Sequence, residues 1–435
     1  MKTTKILGEA ITFHYLPTHL FTTDSFSVHF IVPLCEDTVA GYTLLTKLFK
    51  KGCRVYPSQG AFTKRLEELY ASSLAISAAK QGERQMISVG MEFLASRFVF
   101  DGMNVAEDAC ALLGAVLCDP YLEDGLFSAT WVEREKTALK DQLRATVNDK
   151  RAYAMKRCRE VMCEGEPYSL ALEGTEKQID SLTPALLFSL YQRMLKEAQI
   201  EIFYIGRETE AVAEARARNL VLSFGERAPK RGTASIFSSA VSVKRVTETV
   251  DALQGKLVMG FRTGITETSD VKQKDALLLF NILYGTSPVS KLFMNVREKL
   301  SLCYYCSSGN DIQKGVMFVQ SGVENEKAQD AETEILLQLK EMQAGNITKD
   351  EMFAAKQAFR DMTRSIADSP YTLEQWYLKR TLSNDCRTPE EMNEAIEALN
   401  VDDVMAAARR ITLDTVFFLR GVAKKEEETE DATPL

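Results

Sequence analysis

The chain has 435 residues, more than one ordinary domain holds, and its 45% apolar and 26% charged content is that of a globular protein. A net charge of -8, with no long Lys/Arg run, excludes a role built on phosphate-backbone contacts, so no nucleic-acid partner is expected. Nine scattered cysteines, an odd number, suit free thiols in a reducing compartment better than a disulfide framework. No apolar leader follows Met1 and no apolar run reaches the length of a membrane span, so the expectation is a cytoplasmic protein with no membrane partner.

In chain order, residues 26–32 are apolar and partly β-branched and predict a strand. A polar loop at Glu36, Asp37 and Thr38 leads into a helical pattern over 40–52. A second helix follows, with Phe62, Leu66, Leu69 and Tyr70 on one face, and then alternation over 85–93 predicts another strand. Helices are expected at 104–118, 125–160 and 187–196, and a strand at 200–205. Residues 225–232 combine turn formers and charge without apolar periodicity and read as part of a linker. Beyond it the order restarts: a strand at 256–261, a polar loop at 267–270, a helix at 275–283, and a closing strand at 415–419.

That repetition at about half the chain length is a domain duplication, not a solenoid. The expected class is therefore α+β, with two similar domains, each a mostly antiparallel sheet with helices packed on one face. The boundaries expected are 1–224, a linker at 225–235, 236–423, and an acidic, apolar-poor tail at 424–435 read as disordered.

Candidate chemistry is sparse. All three histidines, His14, His19 and His29, lie in the first thirty residues, and none forms a His-x-x-Glu-His arrangement in either direction. Serine or cysteine nucleophiles therefore have no base downstream, and neither a Gly-x-Ser-x-Gly elbow nor a phosphate-binding glycine loop is present. Cys303 and Cys306 form a single Cys-x-x-Cys pair, too few ligands for a structural zinc, and read as packed thiols.

Four segments nevertheless resemble the pitrilysin/insulinase family of zinc peptidases, nearest its processing-peptidase branch. The helix at 40–52 is similar to the one that carries His-x-x-Glu-His there, two histidines for zinc and a glutamate for the base. In this chain those three positions read Tyr42, Leu45 and Thr46. The segment 133–143 resembles the helix of the third ligand, a glutamate, and places Gln142 at that position; a register shift of two turns would place Glu135 there instead. Residues 168–182 resemble the approach to the last strand of the first domain. The run 285–305 is the most family-specific, with Ser301 where the family has glycine.

The resemblance implies the two-domain fold of one half of a peptidase clamshell, with no metal, no cofactor and no catalytic residue. Arg297 and Tyr304 match a pair that reaches bound polypeptide in catalytic relatives, and they are the expected substrate-binding residues. The structural alternative, that this pair ties strand to helix, stays open. The implied partner is a zinc-bearing homologue in a heterodimer, or a second copy in a homodimer, with a polypeptide substrate. The alternative is a stand-alone peptide-binding or scaffold protein. The nearest resemblance is to bacterial homologues associated with modification of elongation factor P.

Overall fold

A computed structural model of the chain describes residues 2–230, 232 and 236–422. The expected tail at 424–435 and part of the expected linker lie outside the described residues. Eleven strands are described: β1 (Thr3–Gly8), β2 (Ile11–Pro17), β3 (Thr23–Pro33), β4 (Ser73–Gln81), β5 (Arg84–Leu94), β6 (Gln199–Gly206), β7 (Lys244–Val250), β8 (Gly255–Arg262), β9 (Cys303–Asp311), β10 (Val316–Val323) and β11 (Thr412–Gly421). In the first half of the chain lie helices α1 (Val39–Leu48), α2 (Gln59–Glu68), α3 (Val105–Cys118), α4 (Ala129–Ala145), α5 (Lys150–Met162), α6 (Glu176–Ser181), α7 (Pro184–Glu197) and α8 (Glu210–Leu222). In the second lie α9 (Val271–Asn281), α10 (Ala328–Ala344), α11 (Lys349–Arg364), α12 (Pro370–Leu382), α13 (Pro389–Glu397) and α14 (Val401–Ala408).

Two sheets form, in the orders β1-β2-β6-β3-β5-β4 and β7-β11-β8-β10-β9. In the first, β2 runs parallel to β6, and β6–β3, β3–β5 and β5–β4 are antiparallel. In the second, β7 runs parallel to β11, and β11–β8, β8–β10 and β10–β9 are antiparallel. The last five strands of one order match the five of the other in sense and sequence, so the duplication holds strand for strand. The α+β class with two similar, mostly antiparallel sheets is the architecture found.

In the first sheet, Phe26, Val28 and Phe30 join a core built with α1, α3 and α7, through residues such as Leu44, Leu45, Leu113 and Leu187. Alternation along β3 aims Ser27 and His29 at the opposite face. That face carries α12, whose Glu374 accepts a hydrogen bond from Ser27 Oγ at 2.6 Å and pairs with His29 Nε2 at 3.0 Å. The second sheet repeats the scheme. There α5 lies against β8, with the Cys158 thiol donating to the Val258 carbonyl and Met162 set against Gly260. Arg262, on the same face of β8, donates to the Met162 carbonyl at 3.2 Å and pairs with Asp414 at 2.9 Å.

The compact units are therefore discontinuous. The first takes the described residues up to 145 together with those of 165–236 and 360–393, and the second takes 146–164, 237–359 and the described residues from 394 on. The linear division at 225–235 gives way to an exchange in which each half of the chain supplies the helix on the second face of the other sheet. The helix expected over 125–160 is broken at the point of exchange: α4 stops at Ala145, and Asp149 starts α5 by accepting from the Arg151 and Ala152 amides. Part of the expected linker is fixed, with Ala228 and Lys230 amides donating to the Lys196 and Glu197 carbonyls at the end of α7.

Candidate functional site

Helix α1 has nine of its ten residues buried, so it offers no open cleft along the face that would carry a metal. Tyr42 and Leu45 belong to the first unit's apolar core. Thr46 is buried too, and its hydroxyl donates to the Thr43 carbonyl at 2.7 Å, bonding within its own helix. Burial pushes the Tyr42 phenol up to about 12, so it stays protonated. Gly174, at φ +72°, lets the loop before α6 close on α1; a Cβ there would stand 2.8 Å from the Ala40 methyl.

Helix α4 runs beside α1. Lys47 Nζ donates to Gln142 Oε1 at 3.2 Å, so Gln142 is exposed beside the turn that holds Thr46. Glu135 is nearly buried and pairs with Lys51 Nζ at 2.6 Å, beyond the end of α1. The residues present do not fit a zinc ion. Leu45 has no donor atom, Tyr42 keeps its proton, Thr46 is spent within its helix and Gln142 is a neutral amide. Among the described residues, no group of three or more His, Cys, Asp or Glu is placed to hold a metal.

The histidines are fixed elsewhere. On the second face of the first sheet, His14 bonds Glu201 through Nε2 at 2.7 Å and stacks on Phe203 with ring centroids 4.4 Å apart. His29 contacts Ser88 Oγ at 2.8 Å as well as Glu374. His19 lies beside Arg207 at the surface.

Arg297 and Tyr304 are brought together in the second unit, on one open pocket of about 430 Å³. Glu298, Ser301, Leu302, Cys303, Glu324 and Lys327 complete its lining. Three irregular pieces of backbone converge there. Arg297 rides a π-helical stretch, Leu292–Lys299, and the wide helix brings its guanidinium over the Phe293 ring, 4.7 Å from the centroid. Ser301 follows at φ +49°. Tyr304 is the extra residue of a bulge in β9, because Cys303 pairs with Val323 and Tyr305 with Gly322.

Neither side chain is tied into the packing. Arg297 is 42% exposed, lies over Phe293 and pairs with the rim carboxylate Glu298 at 3.5 Å, and Tyr304 is 55% exposed. Tyr304 makes a long 3.4 Å bond to Glu324, which also pairs with Lys327 at 3.1 Å. The pocket thus presents a guanidinium, an ammonium and a phenol as donors, beside exposed Met294 and Leu300. Such a set suits backbone carbonyls and apolar side chains of a peptide. The sequence pointed to both residues through one motif; it carried no sign of the π-helix or the bulge that aim them.

Residues 181–359 match the family described as Peptidase M16 inactive domain. Over 411 residues the chain is 29% identical to a probable inactive metalloprotease, YmfF, of Bacillus subtilis, covering 94% of this chain and 96% of that one. The solved structure of a conserved protein from Enterococcus faecalis is similar with a TM-score of 0.87 at 29% identity, over 98% of this chain and 100% of that one. A peptidase M16 inactive domain from Pseudomonas fluorescens is similar in fold, with a TM-score of 0.80 at 18% identity, over 98% of this chain and 99% of that one.

Proposed function

Because the chain belongs to the pitrilysin/insulinase (M16) peptidase family as a non-catalytic member, we propose that it acts as a peptidase-like subunit beside a zinc-bearing homologue and helps to hold polypeptide substrate. The observation that carries the reading is the contrast between two places. The motif helix is packed shut, whereas Arg297 and Tyr304 stand exposed on one pocket with donors to spare. An extended peptide can be held by adding to a sheet edge, and β4 and β9 are terminal strands of their sheets. Strand β9 carries Tyr304 itself, so a peptide laid along it passes the pocket.

Hydrolysis in such a pair belongs to the homologue's metal-activated water, and this chain supplies position. The cytoplasm is the proposed location, since nine scattered cysteines, an odd number, suit a reducing compartment. The connection with elongation factor P modification is carried as a proposal from resemblance alone; the modification state of that factor in a strain lacking this chain tests it.

The experiment is native mass spectrometry of the chain co-expressed with an intact His-x-x-Glu-His homologue from its own genome, followed by peptide cleavage assays. A one-to-one complex is expected, and Arg297→Ala is expected to weaken peptide binding by about 1–3 kcal/mol while leaving the complex assembled. Two separate species would overturn the subunit reading and leave the stand-alone peptide-binding or scaffold protein.

A further inference from the structure

The same pocket contains a thiol that peptide binding does not use. An unbroken strand would aim Cys303 and Cys306, three residues apart, at opposite faces of the sheet. The bulge at Tyr304 changes this. Cys303 pairs with Val323 and Cys306 with Ser321, and these partners lie two apart on β10, so both sulfurs share one face. Cys306 is packed, as expected for a strand cysteine, whereas Cys303 is 9% exposed and lines the pocket.

The Ser321 hydroxyl, 1% exposed, faces both sulfurs and makes no hydrogen bond of normal geometry. It is a buried polar group left for something at the sulfur to use. Arg297 and Lys327 stand over the same pocket, against Glu298 and Glu324. The neighbouring Cys306 thiol pulls Cys303 down to about 7, helped by Ser321 and Arg297 against burial. Cys303 and burial push Cys306 up. Burial likewise holds Cys110 and Cys118 up at about 12 and raises Cys53 and Cys158.

We propose that Cys303 is a site of thiol oxidation, taking a small uncharged hydroperoxide through the Arg297–Tyr304 pocket. A cysteine with only 9% of its surface exposed admits a small oxidant more readily than a bulky one. The ionised sulfur attacks the nearer peroxide oxygen; an S–O bond forms as the O–O bond breaks. The sulfur loses two electrons and becomes sulfenic acid. The peroxide is reduced, and its leaving oxygen takes the proton given up by the thiol, so hydrogen peroxide yields one water. Ser321 and Arg297 are placed to hydrogen-bond the new oxygen. The inference stands apart from peptide binding, since it needs neither peptide nor partner.

The test uses the full chain at pH 7 with limiting hydrogen peroxide and a cyclic 1,3-dione that traps sulfenic acid, read by peptide mass spectrometry at every cysteine. The exposed Cys35 and Cys386 serve as internal competitors. Trapping at Cys303 ahead of both is the expected result. In Cys306→Ala the rate at Cys303 is expected to fall severalfold, because the thiolate fraction at pH 7 drops once the neighbouring thiol is removed. Labelling confined to Cys35 and Cys386 in the unmodified chain would overturn the proposal without any variant, and so would an unchanged rate in a Cys306→Ala protein that keeps its far-UV spectrum.

Discussion

At Ser301 the backbone sits at φ +49°, in the left-handed region where a Cβ crowds the next carbonyl. Glycine is the residue expected there from the family resemblance, and the conformation supplies the physical reason. The bend is held by the Ser301 amide donating to the Arg297 carbonyl and the Leu302 amide to that of Val296, so the chain can turn from the π-helix into β9. Ser301→Gly is expected to remove a strain of about 1–2 kcal/mol and to lose part of it to backbone entropy, a net gain of about 0.5–1 kcal/mol. Denaturant unfolding measures this directly, and a loss of stability would show that the serine side chain does more than occupy the bend. The opposite outcome is expected at the motif helix. Tyr42→His, Leu45→Glu and Thr46→His together would place a carboxylate where Leu45 is fully buried. An uncompensated buried charge costs roughly 3–5 kcal/mol, so the triple variant should melt well below the parent. An unchanged melting temperature would mean that this face opens to water.

Among the elements, the second face of the first sheet carries a titration with a readable sign. Burial lowers His14 from its ordinary 6.5, and Glu201 pulls it only partly back. The native state therefore keeps the ring neutral while the unfolded chain takes a proton near 6.5. More protons are bound unfolded than folded, so stability is lost as pH falls through about 6.5 towards the lower native value. His14→Gln, which can still hydrogen-bond Glu201, is expected to flatten the difference in urea midpoint between pH 8 and pH 5.5. An equal slope in the variant would assign the acid sensitivity to another group. This face also marks where sequence patterns stopped being legible. Alternation at 26–32 and the apolar spacing at 40–52 state which residues are buried, and those elements appear as β3 and α1. The spacing of Ala154, Cys158 and Met162 likewise states that α5 hides one side. It does not state which sheet hides it, because any apolar face of suitable width would serve. The break between α4 and α5 was signalled locally by Asn148 and Asp149, turn and cap formers inside a long helical pattern. The π-helix under Arg297 left no such signal, since one backbone bond shifted along a helix changes no periodicity that a short window resolves.

For the whole molecule the exchange of α5 and α12 makes the two halves of the chain mutually dependent. Residues 1–235 alone keep the first sheet but lose α12, so Ser27 and His29 lose Glu374 and their face is uncovered. The same fragment carries α5 without the sheet that covers Ala154, Cys158 and Met162. Residues 236–435 alone keep the second sheet but lose α5, which leaves Gly260 and the Arg262–Asp414 pair open and removes the carbonyl that Arg262 binds. Arg262 then loses a buried hydrogen-bond acceptor, and an uncovered sheet face is a surface for aggregation. Each fragment is therefore expected to be insoluble or to unfold without a cooperative transition. Co-expressed, the two should recover each other as one species in size-exclusion chromatography, because each restores the helix that the other lacks. A fragment 236–435 that melts cooperatively on its own would show that α5 is an accessory and that the duplication still folds as two independent domains. Failure of both fragments alone, with recovery together, would show why the linear boundary suggested by 225–235 is not a folding boundary. A duplicated chain whose halves have traded helices can no longer be divided at its midpoint, and the pocket around Arg297 would then depend on a helix encoded almost one hundred and fifty residues upstream.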